Sequence, residues 1–333
     1  MSTPLIRPWS PESARTPGAT SSVRRLLPHR AVEGVSLRGR PSARRTLSPP
    51  SGATPPVRRD PITAALDGRF SPRYNKGTRR PARRPVKGET MLIVDGHLDL
   101  AMNALLWNRD LTLPVAEMRR LEAGMTEKGR AASTVSFPEM RAGRVALAFA
   151  TVIARVAWPD STASGYRSPE IAYAAAQGQL AYYRIMERQG WLRLIADWPT
   201  LERHWAEWES APETAPLGIV LSMEGADPIL DPDQVADWWA DGLRIVSLAH
   251  YGRSAYAHGT GQPGPLTPRA RPLLRALEAQ GVILDLTHLA DRAFFEALEA
   301  FGGPVLASHS NCRALVPGDR QLTDEMIRLI VAR

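Results

Sequence analysis

Five side chains that close short apolar runs could together hold divalent metal ions. His97 and Asp99 stand two apart in MLIVDGHLDL (91–100), so at a strand end both leave on the same face. One imidazole nitrogen and one carboxylate oxygen can then reach a single cation, a donor pair that suits zinc or a similar divalent ion. A surface turn would also produce His-x-Asp. Glu224 closes the run GIVLSME, where a carboxylate is costly to desolvate unless it meets a cation or hydrogen-bond donors. A salt bridge or a helix cap is its alternative reading. His288 closes GVILDLTH and His309 closes the apolar part of GPVLASHS. Either alone could be a satisfied core histidine, whereas two in succession favour ligation. These five supply three imidazoles and two carboxylates, enough for two cations sharing Glu224. Two such ions, roughly 3.5–4 Å apart, can hold a bridging hydroxide that attacks a carbonyl or phosphoryl centre. His250, at the end of GLRIVSLAH, exceeds what two metals need and is assigned to substrate polarisation or oxyanion stabilisation. A structural histidine is the alternative there.

The elements that must position these groups alternate regularly. Apolar runs at 91–100, 144–153, 215–225, 242–250, 281–288 and 303–310 read as strands covered on both faces. Helical patterns lie between them. The segment 168–190 has Ser168 as N-cap, Pro169 at the first helical position and Gly190 as its stop. Further helices are expected over 267–280, 290–301 and 322–332, with shorter ones in 111–124, 198–209 and 232–241. This alternation implies a parallel sheet with right-handed crossovers. Ionisable groups end five of the six strands, as in a barrel whose strand ends converge on one axis; an open sheet would bring only two ends to a ligand. No glycine-rich phosphate loop follows the first strand. The expected fold is therefore an α/β, TIM-like (β/α)8 barrel of the metal-dependent hydrolase type, missing its last two βα units.

Charge divides the chain in two. The net charge is +8, but residues 1–90 hold 17 Arg and 2 Lys against 5 acidic residues, and 14 of the 29 prolines. The remainder is mildly acidic. The head lacks apolar periodicity and is expected to be a disordered basic extension, with the barrel over 91–333. Nucleic-acid binding by the head is possible in principle through its arginines but disfavoured. No apolar stretch reaches the roughly 20 residues of a membrane span, and a cytoplasmic location is expected. Cys312 is the only cysteine, which excludes an intrachain disulfide. No base is evident to make it a nucleophile. His258 lies in the loop YAHGTG. His204, in a Trp-rich helix, reads as a packing or surface residue, and His29 lacks supporting neighbours.

The motifs DGHLDL (95–100), SMEGAD (222–227), LRIVSLAH (243–250), ILDLTH (283–288) and ASHSNCRAL (307–315) resemble the membrane (renal) dipeptidase family of zinc metallopeptidases, in order and spacing. The resemblance implies two zinc ions, one on His97 and Asp99, the other on His288 and His309, bridged by Glu224. It implies that His250 contacts substrate and stabilises the tetrahedral intermediate, and that Arg320 grips the substrate carboxylate, a task suited to a planar fork of donors. The family usually has Arg-Asn where this chain has Arg320-Gln321. The expected reaction is hydrolysis of a dipeptide, including one with a C-terminal D-residue. The family's GSDFDG segment, whose aspartate aids proton transfer, has no counterpart here. The alternatives are another binuclear amidohydrolase, although those barrels more often begin with His-x-His, and a truncated, inactive metal-binding protein. A homodimer is left open.

Overall fold

The computed structural model describes residues 91–333; the expectation for residues 1–90 lies outside them. In chain order the elements are β1 (Ile93–Leu98), α1 (Leu100–Leu106), α2 (Val115–Leu121), α3 (Phe137–Ala142), β2 (Val145–Ile153), α4 (Pro169–Arg188), β3 (Leu192–Leu194) and α5 (Trp198–Ser210). They continue with β4 (Leu217–Glu224), a 3-10 turn (Pro232–Gln234), α6 (Val235–Ala240), β5 (Leu243–Ser247), α7 (Ala270–Gln280), β6 (Ile283–Asp285), α8 (Asp291–Ala300), β7 (Val305–Leu306) and α9 (Asp324–Val331).

All named strand pairs are parallel, and the sheet runs β1-β2-β4-β5-β6-β7. The six expected strands are these six. β3 is an addition: it pairs with Leu217, Gly218 and Ile219 of β4, on the edge that β5 takes over further along. Its three residues, with Arg193 in the middle, are too short for an apolar pattern. Helices α1 and α3 were also not expected. α1 follows β1 after a single residue, so its apolar positions merge with those of the strand.

The sheet is curled. Six strands laid flat would separate the outer pair by roughly 24 Å at the usual interstrand spacing. Instead a Cβ placed on Gly96 of β1 would lie 2.6 Å from the carbonyl oxygen of Ser308, just beyond β7. The rings of His97 and His309 stack with centroids 3.8 Å apart. The first and last strands of the path therefore meet at their carboxyl ends, and only glycine fits at position 96.

Helices hold that rim in place. Ser168 accepts from the Ile171 amide and Pro169 opens α4, as expected from the sequence. The buried face of α4 includes Ala172, Ala176, Leu180 and Tyr183, spaced by three and four. Gln179 on the same face completes the backbone of Ile153, accepting from its N at 2.9 Å and donating to its O at 2.8 Å. The Tyr183 hydroxyl donates to Thr151 O at 2.8 Å and accepts from Ala101 N at 3.1 Å. One helix thus fixes both the end of β2 and the start of α1, directly after Asp99. Leu217, Leu284 and Phe294 are fully buried between sheet and helices. Each such side chain contributes about 1.5–3 kcal/mol relative to exposure. His204 is also fully buried, its Nε2 2.7 Å from Ala146 O, in agreement with the packing reading. No helix among the described residues is long and apolar enough to cross a membrane.

Candidate metal centre

The carboxyl ends of the strands carry every candidate ligand. His97 is the penultimate residue of β1, and Asp99 directly follows that strand. Glu224 is the last residue of β4, and His250, His288 and His309 follow β5, β6 and β7. Sharp local geometry turns them inward. Asp95 accepts from the His97 amide at 3.0 Å, and Asp285 accepts from the Thr287 amide at 3.0 Å, so the same short turn breaks the regular pairing within β1 and ends β6. Gly225, with φ of 81°, turns the chain directly after Glu224. His288 has φ of 69°, a left-handed conformation that is unfavourable for a side chain of this size and persists only where the surroundings enforce it.

Glu224 is the centre of the arrangement. Its Oε1 lies 3.2 Å from His288 Nε2, 3.3 Å from His309 Nε2 and 3.6 Å from His250 Nε2. Its Oε2 lies 3.6 Å from His97 Nε2, which in turn is 3.7 Å from Asp99 Oδ2. Two ligand groups result, His97 with Glu224 and His309, and Glu224 with His250 and His288. Glu224 belongs to both. His309 Nε2 also stands 3.3 Å from His288 Nε2, so it touches both halves rather than pairing with His288 alone.

The donor set fits divalent cations. Despite these neighbours, Glu224 Oε1 has no hydrogen bond and only 4% of the residue is exposed; Asp99 Oδ1 is orphaned in the same way. An unpartnered buried carboxylate oxygen is expensive, and a cation satisfies it. Two tetrahedral ligands of one zinc ion, each at 2.0–2.1 Å, stand about 3.3 Å apart, which is the spacing seen around Oε1. Of the expected ligands, His97, Glu224, His288 and His309 fall in the two ligand groups, whereas Asp99 falls in neither and His250 falls in one.

Electrostatics agree with the geometry. Burial pushes the Glu224 carboxyl up, but His288, His309, His250 and His97 outweigh it and hold the group well below the usual range. Burial opposes charge on His97, yet Asp99, Glu224 and Asp285 together raise its pKa. His250 is pushed down to about 3, chiefly by burial, so it is neutral near pH 7. Burial likewise lowers His288.

Arg320 lies beside the centre. It donates to His309 O at 2.7 Å and to Ser310 Oγ at 3.2 Å. His258 is turned away, its Nδ1 2.8 Å from Pro265 O, and Cys312 is exposed.

Several groups around the site escaped the sequence reading. Tyr251, half-exposed, faces His250 at 4.8 Å and His288 at 5.1 Å between ring centroids. Asp285 accepts from Ser308 Oγ at 2.5 Å, and Ser308 Oγ is 2.7 Å from His309 Nδ1. Asp285 lies within ILDLTH, so its motif was a usable signal. Buried Asp227 accepts from Val156 N at 2.8 Å, Ala255 N at 2.7 Å and Trp158 Nε1 at 3.2 Å, tying the loops after β2 and β5 together.

Comparison with known proteins gives a consistent answer. A protein in the PQQ-III 3'region of Acinetobacter calcoaceticus, itself uncharacterised, is 29% identical over 123 residues, which is 34% of this chain and 39% of that protein. Dipeptidase tcpJ of Claviceps purpurea (strain 20.1) is 34% identical over 90 residues, 26% of this chain and 21% of that protein. The chain thus spans well under half the length of these curated relatives. A crystal structure of a metallo peptidase from Rhodobacter sphaeroides, liganded with a phosphinate mimic of the dipeptide L-Ala-D-Ala, superposes with a TM-score of 0.57. It is 22% identical, covering 73% of this chain and 71% of that one, and the likeness supports the fold. Residues 84–333 match the family described as membrane dipeptidase (peptidase family M19), and the chain belongs to that family.

Proposed function

We propose that this chain carries the metal centre of a dipeptidase, with two zinc ions held by His97, Asp99, Glu224, His288 and His309 and shared through Glu224. The observation that carries the reading is Glu224 Oε1, buried without a hydrogen bond and faced by three imidazole Nε2 atoms within 3.6 Å. Zinc bound there would polarise a scissile carbonyl and lower the pKa of attacking water. The remaining work falls to the protein. His250, neutral and beside Glu224, donates to the oxygen of the carbonyl under attack. Arg320 takes the free carboxylate of the dipeptide, which fixes the peptide bond against the centre. Tyr251, half in solvent at the mouth, excludes water over His250 and His288.

The substrate class includes dipeptides with a C-terminal D-residue, by analogy with the L-Ala-D-Ala mimic bound by the Rhodobacter sphaeroides relative. The curl that brings β1 against the segment after β7 is the feature that supports a barrel of the (β/α)8 type. The test is turnover of L-Ala-D-Ala beside a phosphotriester by the zinc-loaded full chain. Dipeptide hydrolysis alone supports the reading. Hydrolysis of the phosphotriester alone overturns it in favour of another binuclear hydrolase, and two bound zinc ions without turnover overturns the activity while leaving the metal centre.

A further inference from the structure

The three histidines that face Glu224 Oε1 differ in what their other ring nitrogen meets. His288 Nδ1 is 3.0 Å from Thr260 Oγ1, and that hydroxyl donates its own proton to His288 O at 3.3 Å. The hydroxyl therefore accepts from Nδ1–H, and His288 presents a bare Nε2 to Glu224. His309 Nδ1 is 2.7 Å from Ser308 Oγ, whose proton goes to Asp285, an acceptor only. Nδ1 of His309 is again the protonated nitrogen, and its Nε2 is again bare. Two bare nitrogens 3.3 Å apart beside an unpartnered carboxylate oxygen are a place for a cation.

His250 is the exception. Its Nδ1 is 2.8 Å from Arg155 NH1. A guanidinium has five N–H donors and no acceptor, so Nδ1 must accept and the ring proton sits on Nε2. Nε2 is the atom that points at Glu224 Oε1, 3.6 Å away. Position alone would admit His250 as a ligand, because it groups with Glu224 and His288. A protonated Nε2 has no lone pair for a metal but can donate to an oxygen that gains negative charge.

We propose that Arg155 is a positioning residue that holds His250 as its Nε2–H tautomer, keeping it off the metal ions and making it a hydrogen-bond donor to substrate. Its own backbone is pinned to carry this contact. Arg155 O accepts from Tyr166 N at 2.7 Å. The next residue, Val156, donates its amide to Asp227, which also holds Ala255 in the loop that follows His250. Asp227 thus fixes the two loops whose side chains meet at the Arg155–His250 contact. The assignment rests on the dipeptidase reading for its consequence in catalysis, but not for the tautomer.

Two readouts separate the two. In the zinc-loaded full chain labelled with 15N-histidine, long-range 1H–15N spectra should give His250 the Nε2–H pattern and His288 and His309 the Nδ1–H pattern. Arg155→Met should convert His250 to a mixture of tautomers. On L-Ala-D-Ala it should lower kcat by on the order of 10²-fold with KM little changed, as for loss of one oxyanion donor. Arg155→Lys, which keeps a donor, should retain the Nε2–H pattern and most of kcat. An Nδ1–H pattern for His250 in the unsubstituted chain overturns the assignment, whether or not Arg155→Met folds. So does an unchanged His250 pattern in a folded Arg155→Met chain. Absence of turnover in the unsubstituted chain counts against the dipeptidase reading and leaves the spectra to decide on Arg155.

Discussion

Glu122 and Glu224 are both buried carboxylates in the described part of the chain, and their surroundings could hardly be more different. Glu122, at the end of α2, has all its lone-pair directions taken. Oε1 accepts from Arg109 Nε at 2.7 Å and Arg130 NH1 at 3.3 Å; Oε2 accepts from Arg109 NH2 at 3.0 Å and Ala131 N at 2.7 Å. Its pKa falls to about 2, first through the Arg109 hydrogen bond and then through Ala131 and Arg130 against the cost of burial. Glu224 is ringed by imidazoles instead, and its Oε1 has no hydrogen bond at all. The protein completes one carboxylate by itself and leaves the other to be completed. A buried acid with every partner present is structural, and one lacking a partner among convergent histidines marks where a ligand belongs.

The difference can be attacked from either side. The largest effect is expected for Glu224→Gln, which should lower dipeptide turnover by on the order of 10³-fold. In metal-free buffer it should cost less unfolding free energy than Glu122→Gln, because it breaks no charge-assisted hydrogen bond to a buried arginine; a urea titration checks this. Glu122→Gln should do the reverse. Leaving Arg109 without its charge partner should cost about 3 kcal/mol of unfolding free energy, with zinc content per folded chain unchanged. Asp285→Ala removes the acceptor behind Ser308 and His309, and should weaken zinc binding by about 10–100-fold in competition with a chelator.

The smallest effect is on pH dependence. The pKa of Glu122 is about 2 when folded and near its ordinary 4.5 when unfolded, so the unfolded chain binds the proton more tightly. Its contribution is fully present above pH 4.5 and is lost as the pH falls from 4.5 towards 2. The metal-free chain should lose stability over that window, and Glu122→Gln should flatten the loss. An identical slope in both chains would mean that Glu122 is not held by its arginines as described.

Much of this centre could be read from the sequence, and the reason is energetic. His97, Asp99, Glu224, His288 and His309 stand at the ends of apolar runs, where an ionisable side chain is out of pattern, so type and position alone made them conspicuous. The strands that carry them were legible for the same reason. What the sequence did not reveal depends on contacts between distant segments. Arg155 meets His250 across 95 residues, and nothing in the loop that holds it marks it as a partner for a ring nitrogen. Asp227 sits inside a recognisable motif, yet its three donors come from two other loops. β3 was missed because Leu192–Leu194 is too short to show a period, and its pairing with β4 depends on where α4 ends. Nothing in the local sequence marks Glu122, because its role depends on Arg109 and Arg130, which reach it from outside its helix.

The most direct measurement is zinc content per folded chain after chelator stripping, reloading and dialysis, for the unsubstituted protein, Glu224→Gln and Glu122→Gln. The account predicts two ions for the unsubstituted chain, two for Glu122→Gln and at most one for Glu224→Gln. Two ions retained by Glu224→Gln, or none bound by the unsubstituted chain, would contradict the assignment of Glu224 as the shared ligand.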